Sequence, residues 1–175
     1  MAESNLIWTE AVRTLEADRP FALATVIDVR GSTPREPGAK MIVSEDRQVG
    51  TIGGGCGEAE VFRKARLLLS EGQGARLAEV DLTGDFDQQE IGTCGGIMEV
   101  LISVWSPQHD LPIARRLEDA ASRGRAAALI TLVDSDAKSY RGAGAKLVID
   151  STDGLTPETS GLSAAALHEL EVRAR

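Results

Sequence analysis

Aromatic residues are scarce in this sequence: three Phe, two Trp and one Tyr in 175 positions. A core in such a chain is built from Val, Ile, Leu and Ala. Cysteine is scarce too, with only Cys56 and Cys94. Two thiols this far apart exclude a disulfide framework and a Cys-x-x-Cys zinc site. His109 and His168 have no Cys, Asp or Glu partner at metal-ligand spacing, so both are assigned to the surface. Positive charge is outnumbered, 19 Lys and Arg against 27 Asp and Glu, for a net charge of -8. That balance argues against nucleic acid, yet leaves room for one local pocket that holds an anion. No apolar run approaches the length of a membrane span; the longest clear one is Ala126 to Val133. The opening Met1-Ala2-Glu3-Ser4-Asn5 lacks the basic-then-apolar pattern of a secretory signal. A cytoplasmic protein with reduced thiols is the resulting expectation.

An internal repeat is present instead. Thr25-Val-Ile-Asp28 resembles Thr131-Leu-Val-Asp134, and Gly38-Ala-Lys-Met-Ile-Val43 resembles Gly144-Ala-Lys-Leu-Val-Ile149; both pairings are offset by 106 residues. The same register matches Arg19 to Arg125, Ala22 to Ala128, Arg35 to Arg141, Gly55 to Gly161 and Ala59 to Ala165. Two short coincidences seldom share an offset, so the pattern reads as a duplication.

Each copy is predicted as helix, strand, strand, short strand, helix. In the first, Trp8, Ala11, Val12 and Leu15 recur at helical spacing, with Ser4 or Asn5 as the cap and Pro20 as the stop. Strands are expected at 21–29, 39–44 and 49–52, and a helix at 58–69. The second copy has a helix near 111–122, strands near 127–134 and 145–150, and a helix from Ser163. Residues 76–82 and 97–105 read as two further strands, joined by a loop from Thr83 to Gly96. The expected fold is a single α+β domain over residues 1–175, a mixed β-sheet or two half-sheets flanked by helices. Its copies span about 1–70 and 110–175, linked by the two-strand segment 76–105.

The duplication offers an internal control, because features in both copies serve the fold and features in one copy are candidates for chemistry. Gly38, Ala39 and Lys40 recur, and so read as a tight turn into a strand; Arg35 recurs as Arg141, which leaves it open between structure and function. Gly53-Gly-Gly-Cys-Gly57 occurs once, its counterpart being Thr159-Ser-Gly-Leu-Ser163, and Gly31-Ser-Thr-Pro34 also occurs once. Glycines between a strand and a helix let backbone N–H groups approach a ligand, and a helix start adds unpaired donors and partial positive charge. A cysteine there gains thiolate character. Gly92-Thr-Cys-Gly-Gly96 sets Cys94 in similar surroundings before a strand. A lone cysteine is more often a small buried hydrophobe. Two cysteines in glycine runs favour a shared site.

Other polar residues are read more plainly. Glu58 and Glu60 complement the dipole of the helix they open. Glu99 either orients a ligand or faces solvent. Asp81, Asp85, Asp87 and Glu90 belong to a solvated loop without calcium-loop alternation. The glycine spacing matches neither Walker A nor Gly-x-Gly-x-x-Gly.

Three segments, Gly31-Ser-Thr-Pro-Arg-Glu-Pro-Gly-Ala-Lys40, Gly50-Thr-Ile-Gly-Gly-Gly-Cys-Gly-Glu58 and Cys94-Gly-Gly-Ile-Met-Glu-Val100, together strongly resemble the XdhC/CoxI family. These are accessory proteins for maturation of xanthine dehydrogenase and carbon monoxide dehydrogenase, and the resemblance covers nearly the whole chain. It implies a non-enzymatic chaperone that binds the molybdenum cofactor, molybdopterin in mononucleotide or dinucleotide form. The chaperone protects that cofactor and presents it for sulfuration and insertion. The implied partners are the large subunit of a molybdenum hydroxylase and a cysteine desulfurase that supplies sulfur. By the same resemblance Cys56 and Cys94 would lie nearest the molybdenum as soft metal ligands. Ser32, Arg35 and the backbone of Gly53, Gly54 and Gly55 would hold the phosphate end, with Gly57 and Gly95 completing the two loops. Departures from the family pattern are Gly57, where a bulkier residue is common, and Thr93, where glycine is common. Longer members continue into a C-terminal Rossmann-type domain, whereas this sequence ends at Arg175. Two other functions fit the residues, a sulfurtransferase carrying a persulfide on Cys56 and a non-catalytic anion-binding interaction module. A homodimer through exposed sheet edges is a further expectation.

Overall fold

The computed structural model describes residues 2–72, 74–82, 95–132, 144–150 and 154–160. Residues 83–94 of the predicted loop from Thr83 to Gly96, Cys94 among them, and the predicted helix from Ser163 lie outside the described residues. The chain divides into two compact units, Met1–Arg19 with Ser106–Arg175, and Pro20–Trp105.

The second of these units is built on β1 (Phe21–Arg30), a strand long enough to pair along both edges. On one side lie β2 (Lys40–Val43) and then β3 (Gln48–Gly50); on the other, β5 (Ile97–Trp105) and then β4 (Ala75–Asp81). The order is β3-β2-β1-β5-β4, antiparallel at every pairing. The α+β class is as expected. The two strands expected to link the repeat copies are thus integral to the first copy's sheet, β5 running beside β1 from Phe21↔Trp105 to Arg30↔Ile97.

Helix α2 (Gly55–Glu71) covers one face of this sheet. Its inward residues Val61, Ala65 and Leu68 follow the helical period and join Ala22, Ala24, Val26, Met41, Val80, Met98 and Val100 in one buried cluster. On the opposite face Phe21 and Trp105 stack with centroids 5.7 Å apart, so the few aromatics reinforce an otherwise aliphatic core. A register shift between Val26 and Asp28 turns Val29 towards the α2 side and leaves Arg30 exposed. Arg30 donates to Glu99 at 2.6 Å and lies 3.8 Å from both Asp28 and Glu79. Glu99 therefore balances a surface arginine on the face away from α2.

The other unit contains α1 (Ala2–Glu16), α3 (Pro107–Ser122) and the antiparallel sheet β6-β7-β8. Its strands are Ala127–Thr131, Lys146–Asp150 and Gly154–Ser160. Helix α1 begins at Ala2, ahead of the expected caps Ser4 and Asn5, which lie inside it. Ile7, Trp8, Ala11, Val12 and Leu15 form its buried face, and α1 packs against α3 through Ile113, Ala114, Leu117 and Ala120 on the latter's buried side. Helix α3 starts earlier than its apolar pattern suggests, because Pro107 stands at its first turn and Asp110 accepts a hydrogen bond from the Ser106 amide at 2.8 Å. The other oxygen of Asp110 accepts from Lys146 Nζ at 3.0 Å, with both side chains at most 5% exposed. Burial lowers the Lys146 pKa and the attraction of Asp110 opposes that change.

The 106-residue offset recurs in backbone bonds. Gly38 N–H donates to Val26 O at 2.8 Å, and Gly144 N–H to Leu132 O at 2.8 Å. Arg19 N–H donates to Thr14 O at 3.1 Å, and Arg125 N–H to Ala120 O at 2.8 Å. Thr25 faces Lys40 as Thr131 faces Lys146. The third strand departs from the pattern, with Gln48 facing Val43 but Gly154 facing Asp150.

Candidate cofactor site

At the β3–α2 connection the chain makes three successive residues with positive φ: Gly53 at 135°, Gly54 at 77° and Gly55 at 66°. A side chain at any of them would be strained. The helix then begins at Gly55 rather than at the predicted Glu58, so Gly55, Cys56 and Gly57 form its first turn. Glycine's poor helix propensity hides that turn in the sequence. Cys56 is a free, exposed thiol on this turn, where the first amides have no intrahelical acceptor. Gly57 faces the other way. It is buried, and a Cβ there would meet Val80 Cγ1 at 2.7 Å and Leu82 Cδ2 at 2.9 Å, so it lets α2 seat on β4.

Glu58 organises the loop from within. Its Oε2 accepts from Thr51 Oγ1 at 2.5 Å and from the amides of Ile52 and Gly54 at 3.0 Å each, while Oε1 accepts from Gln48 Nε2 at 2.6 Å. The Gly53 amide donates to Thr51 Oγ1 at 3.1 Å. Of the three glycine amides expected to cradle an anion, those of Gly53 and Gly54 are thus already satisfied inside the chain. Partial burial raises the Glu58 pKa, but the bonds from Thr51, Gly54, Gln48 and Ile52 together hold it below the ordinary glutamate value. The amides of Gly55 and Cys56 belong to the first turn of α2, whose opening amides have no intrahelical acceptor. Reading Glu58 only as a dipole-complementing acid missed this role; its place one turn after the loop, a lengthened capping-box spacing, was the available signal.

The Gly31–Arg35 loop is pressed against the glycine loop and the start of β5. A Cβ on Gly53 would come within 2.3 Å of Pro34 Cγ and 3.7 Å of Arg35 Cγ. A Cβ on Gly96 would come within 2.4 Å of the Ser32 carbonyl oxygen and 2.8 Å of the Arg30 carbonyl oxygen, both backbone atoms that cannot swing aside. A Cβ on Gly31 would lie 3.1 Å from Gly95 O. Thr33 Oγ1 donates to Arg35 O at 3.1 Å and closes the turn between them. Gly95 is held in place by its amide bond to Leu82 O at 3.2 Å, and Gly96 O accepts from the Leu82 amide at 2.8 Å.

Of the residues singled out in the sequence, Gly53 thus lies beside the Ser32–Arg35 loop, and Gly95 beside Gly31. Ser32, Gly54, Gly55, Cys56 and Gly95 are exposed, Arg35 is half-buried, and Gly57 is buried in the α2–β4 contact. Cys94, the other expected metal ligand, immediately precedes Gly95 but lies outside the described residues. Lys40 donates to Gly38 O at 2.9 Å, in keeping with a role in the turn; burial lowers its pKa.

Residues 14–81, which hold α2 and the cysteine loop, match the model of the XdhC and CoxI family. That stretch is similar to the family. The chain is 38% identical over 98 residues to the uncharacterized protein YqeB of Escherichia coli K12, covering 56% of this chain and 18% of that protein. It is 33% identical over 110 residues to the molybdenum cofactor insertion chaperone PaoD of the same organism, covering 62% of this chain and 34% of PaoD. A solved xanthine dehydrogenase from Bacillus halodurans superposes with a TM-score of 0.61 at 26% identity, over 89% of this chain and 45% of that one. The chain therefore spans less than half the length of each of these proteins.

Proposed function

We propose that this protein binds a molybdenum–pterin cofactor in the cytoplasm, protects it, and presents it for sulfuration and insertion into the large subunit of a molybdenum hydroxylase. The observation that carries this reading is the exposed Cys56 thiol on a helix first turn, set behind three left-handed glycines and beside the Ser32–Arg35 loop. The similarity to PaoD supports it. The donor set fits such a group in kind: a thiolate is a soft metal ligand, and the amides of a helix first turn with Ser32 and Arg35 suit a phosphate. Cys56, joined by Cys94, holds the metal end. The amides of Gly55 and Cys56, with Ser32 and Arg35, hold the anionic end, while the Ile52 and Gly54 amides stay with Glu58. The cofactor supplies the redox chemistry of the recipient enzyme; this chain supplies binding and orientation.

Metal and pterin analysis of the protein as isolated tests the reading, with molybdenum and pterin expected in matching amounts. Cys56→Ala is expected to lower cofactor affinity by about tenfold or more. Undiminished affinity in both Cys56→Ala and Cys94→Ala would end the proposal.

Exposure of Cys56 also favours a second reading, a persulfide carrier loaded by a cysteine desulfurase. Mass spectrometry after incubation with a desulfurase and cysteine would then show one added sulfur on Cys56, and an unmodified thiol excludes it.

A further inference from the structure

We propose that Glu58 is the positioning residue of this site: its carboxylate, rather than a bound ligand, sets the shape of the glycine loop and transmits that shape to the Ser32–Arg35 loop. The inference rests on reading these two loops as the place of the pterin cofactor.

A glutamate that only complemented a helix dipole would point along the axis and need no particular partner. Glu58 instead folds back over its own helix start. One oxygen gathers donors from Thr51, Ile52 and Gly54, and the other is held by Gln48 at the head of β3. Gly53 therefore sits between two residues whose amides are tied to the same atom. It is also the glycine that Pro34 fills against, with no room for a Cβ between them. A shift of the Ile52–Gly54 backbone towards Pro34 displaces that ring, and with it Thr33 and Arg35 on either side. Cys56, two residues ahead of Glu58 on the same turn, keeps its place relative to that loop by the same restraint. Four hydrogen bonds converging on one carboxylate offset the entropy of ordering three glycines that would otherwise sample many conformations. Glu58 touches no ligand in this scheme; it acts through the loop.

Backbone amide exchange, read with affinity for molybdopterin cofactor freed from a purified molybdenum enzyme, tests the proposal on the full chain. In Glu58→Ala, exchange at Ile52 and Gly54 is expected to speed by about tenfold or more, with faster exchange at Thr33 and Arg35 and unchanged protection in β1. Affinity for the cofactor falls by about tenfold in the same variant. Cys56→Ala separates the two readouts, losing affinity while exchange at Ile52 and Gly54 stays as in the wild type. Unchanged exchange at Ile52 and Gly54 in Glu58→Ala, or full affinity despite faster exchange, overturns the proposal. A wild-type chain that binds no cofactor overturns the function proposed above, and exchange at Thr33 and Arg35 then decides alone whether Glu58 shapes both loops. Should Glu58→Ala lose its circular dichroism signal, Glu58→Gln, which keeps the side-chain shape and one accepting oxygen, is measured in its place.

Discussion

Glu58 shows how one side chain can determine what a loop offers. Its carboxylate is ionised more readily than an ordinary glutamate, because its hydrogen bonds favour the charged form by more than burial disfavours it. A lowered folded-state pKa means that the folded protein binds fewer protons than the unfolded chain just below the ordinary value of 4.5. The stabilisation is therefore complete above that pH and is lost as pH falls through the lowered folded value. Wild-type protein is expected to exceed Glu58→Gln in stability near neutral pH, and the two should converge in strong acid. Denaturant unfolding at several pH values checks this; a gap that stays constant with pH contradicts it. At this scale the sequence was least legible. Cys56 and its glycines stood out, but the partnership of Glu58 with Ile52 and Gly54 shows in the sequence only as a lengthened capping-box spacing, which an acid that merely complements the helix dipole shares. The burial of Gly57 was hidden likewise, since it follows from where Val80 and Leu82 project.

Elements were more legible than contacts. Strands β1 and β5 lie close to their expected limits, because β-branched runs bounded by polar residues admit few alternatives, and β4, with Val80 its one β-branched residue, does so too. The helix starts were misread where the first turn lacks apolar residues: Gly55 to Gly57 in α2, and Pro107 to Asp110 in α3. Asp110 matters to its element in two ways, by accepting the Ser106 amide and by neutralising buried Lys146. Asp110→Ala is expected to cost about 3–5 kcal/mol, since it removes the carboxylate that accepts from a buried ammonium. The double variant Asp110→Leu with Lys146→Met removes both charges and should recover much of that loss. Urea unfolding of the two proteins separates the cases, and a single variant as stable as the wild type would show that water already solvates the pair.

Across the whole molecule, the recurring offset extends from letters to hydrogen bonds. Helix α1 ends with Asp18 at φ 56°, its amide donating to Leu15 O at 3.0 Å; helix α3 ends with Gly124 at φ 65°, its amide donating to Ala121 O at 3.2 Å. We propose a duplication as the origin of these paired helix ends. The two positions share a conformation and differ in residue, so they make a reciprocal test. Asp18→Gly is expected to stabilise the protein by about 1 kcal/mol by removing a Cβ from left-handed backbone, and Gly124→Asp to destabilise it by a similar amount. Thermal unfolding reads both shifts, and changes of the same sign in the two variants would show that the helix ends are not equivalent.

Under the function proposed above, the internal satisfaction of the Ile52 and Gly54 amides bears on how the cofactor leaves. Departure of a guest exposes no orphaned donor in that stretch and demands no refolding there. Little conformational entropy is then exchanged on either arrival or release, so residence time depends on the direct contacts alone. For a carrier this arrangement favours rapid hand-over: the empty form is already competent for the next load.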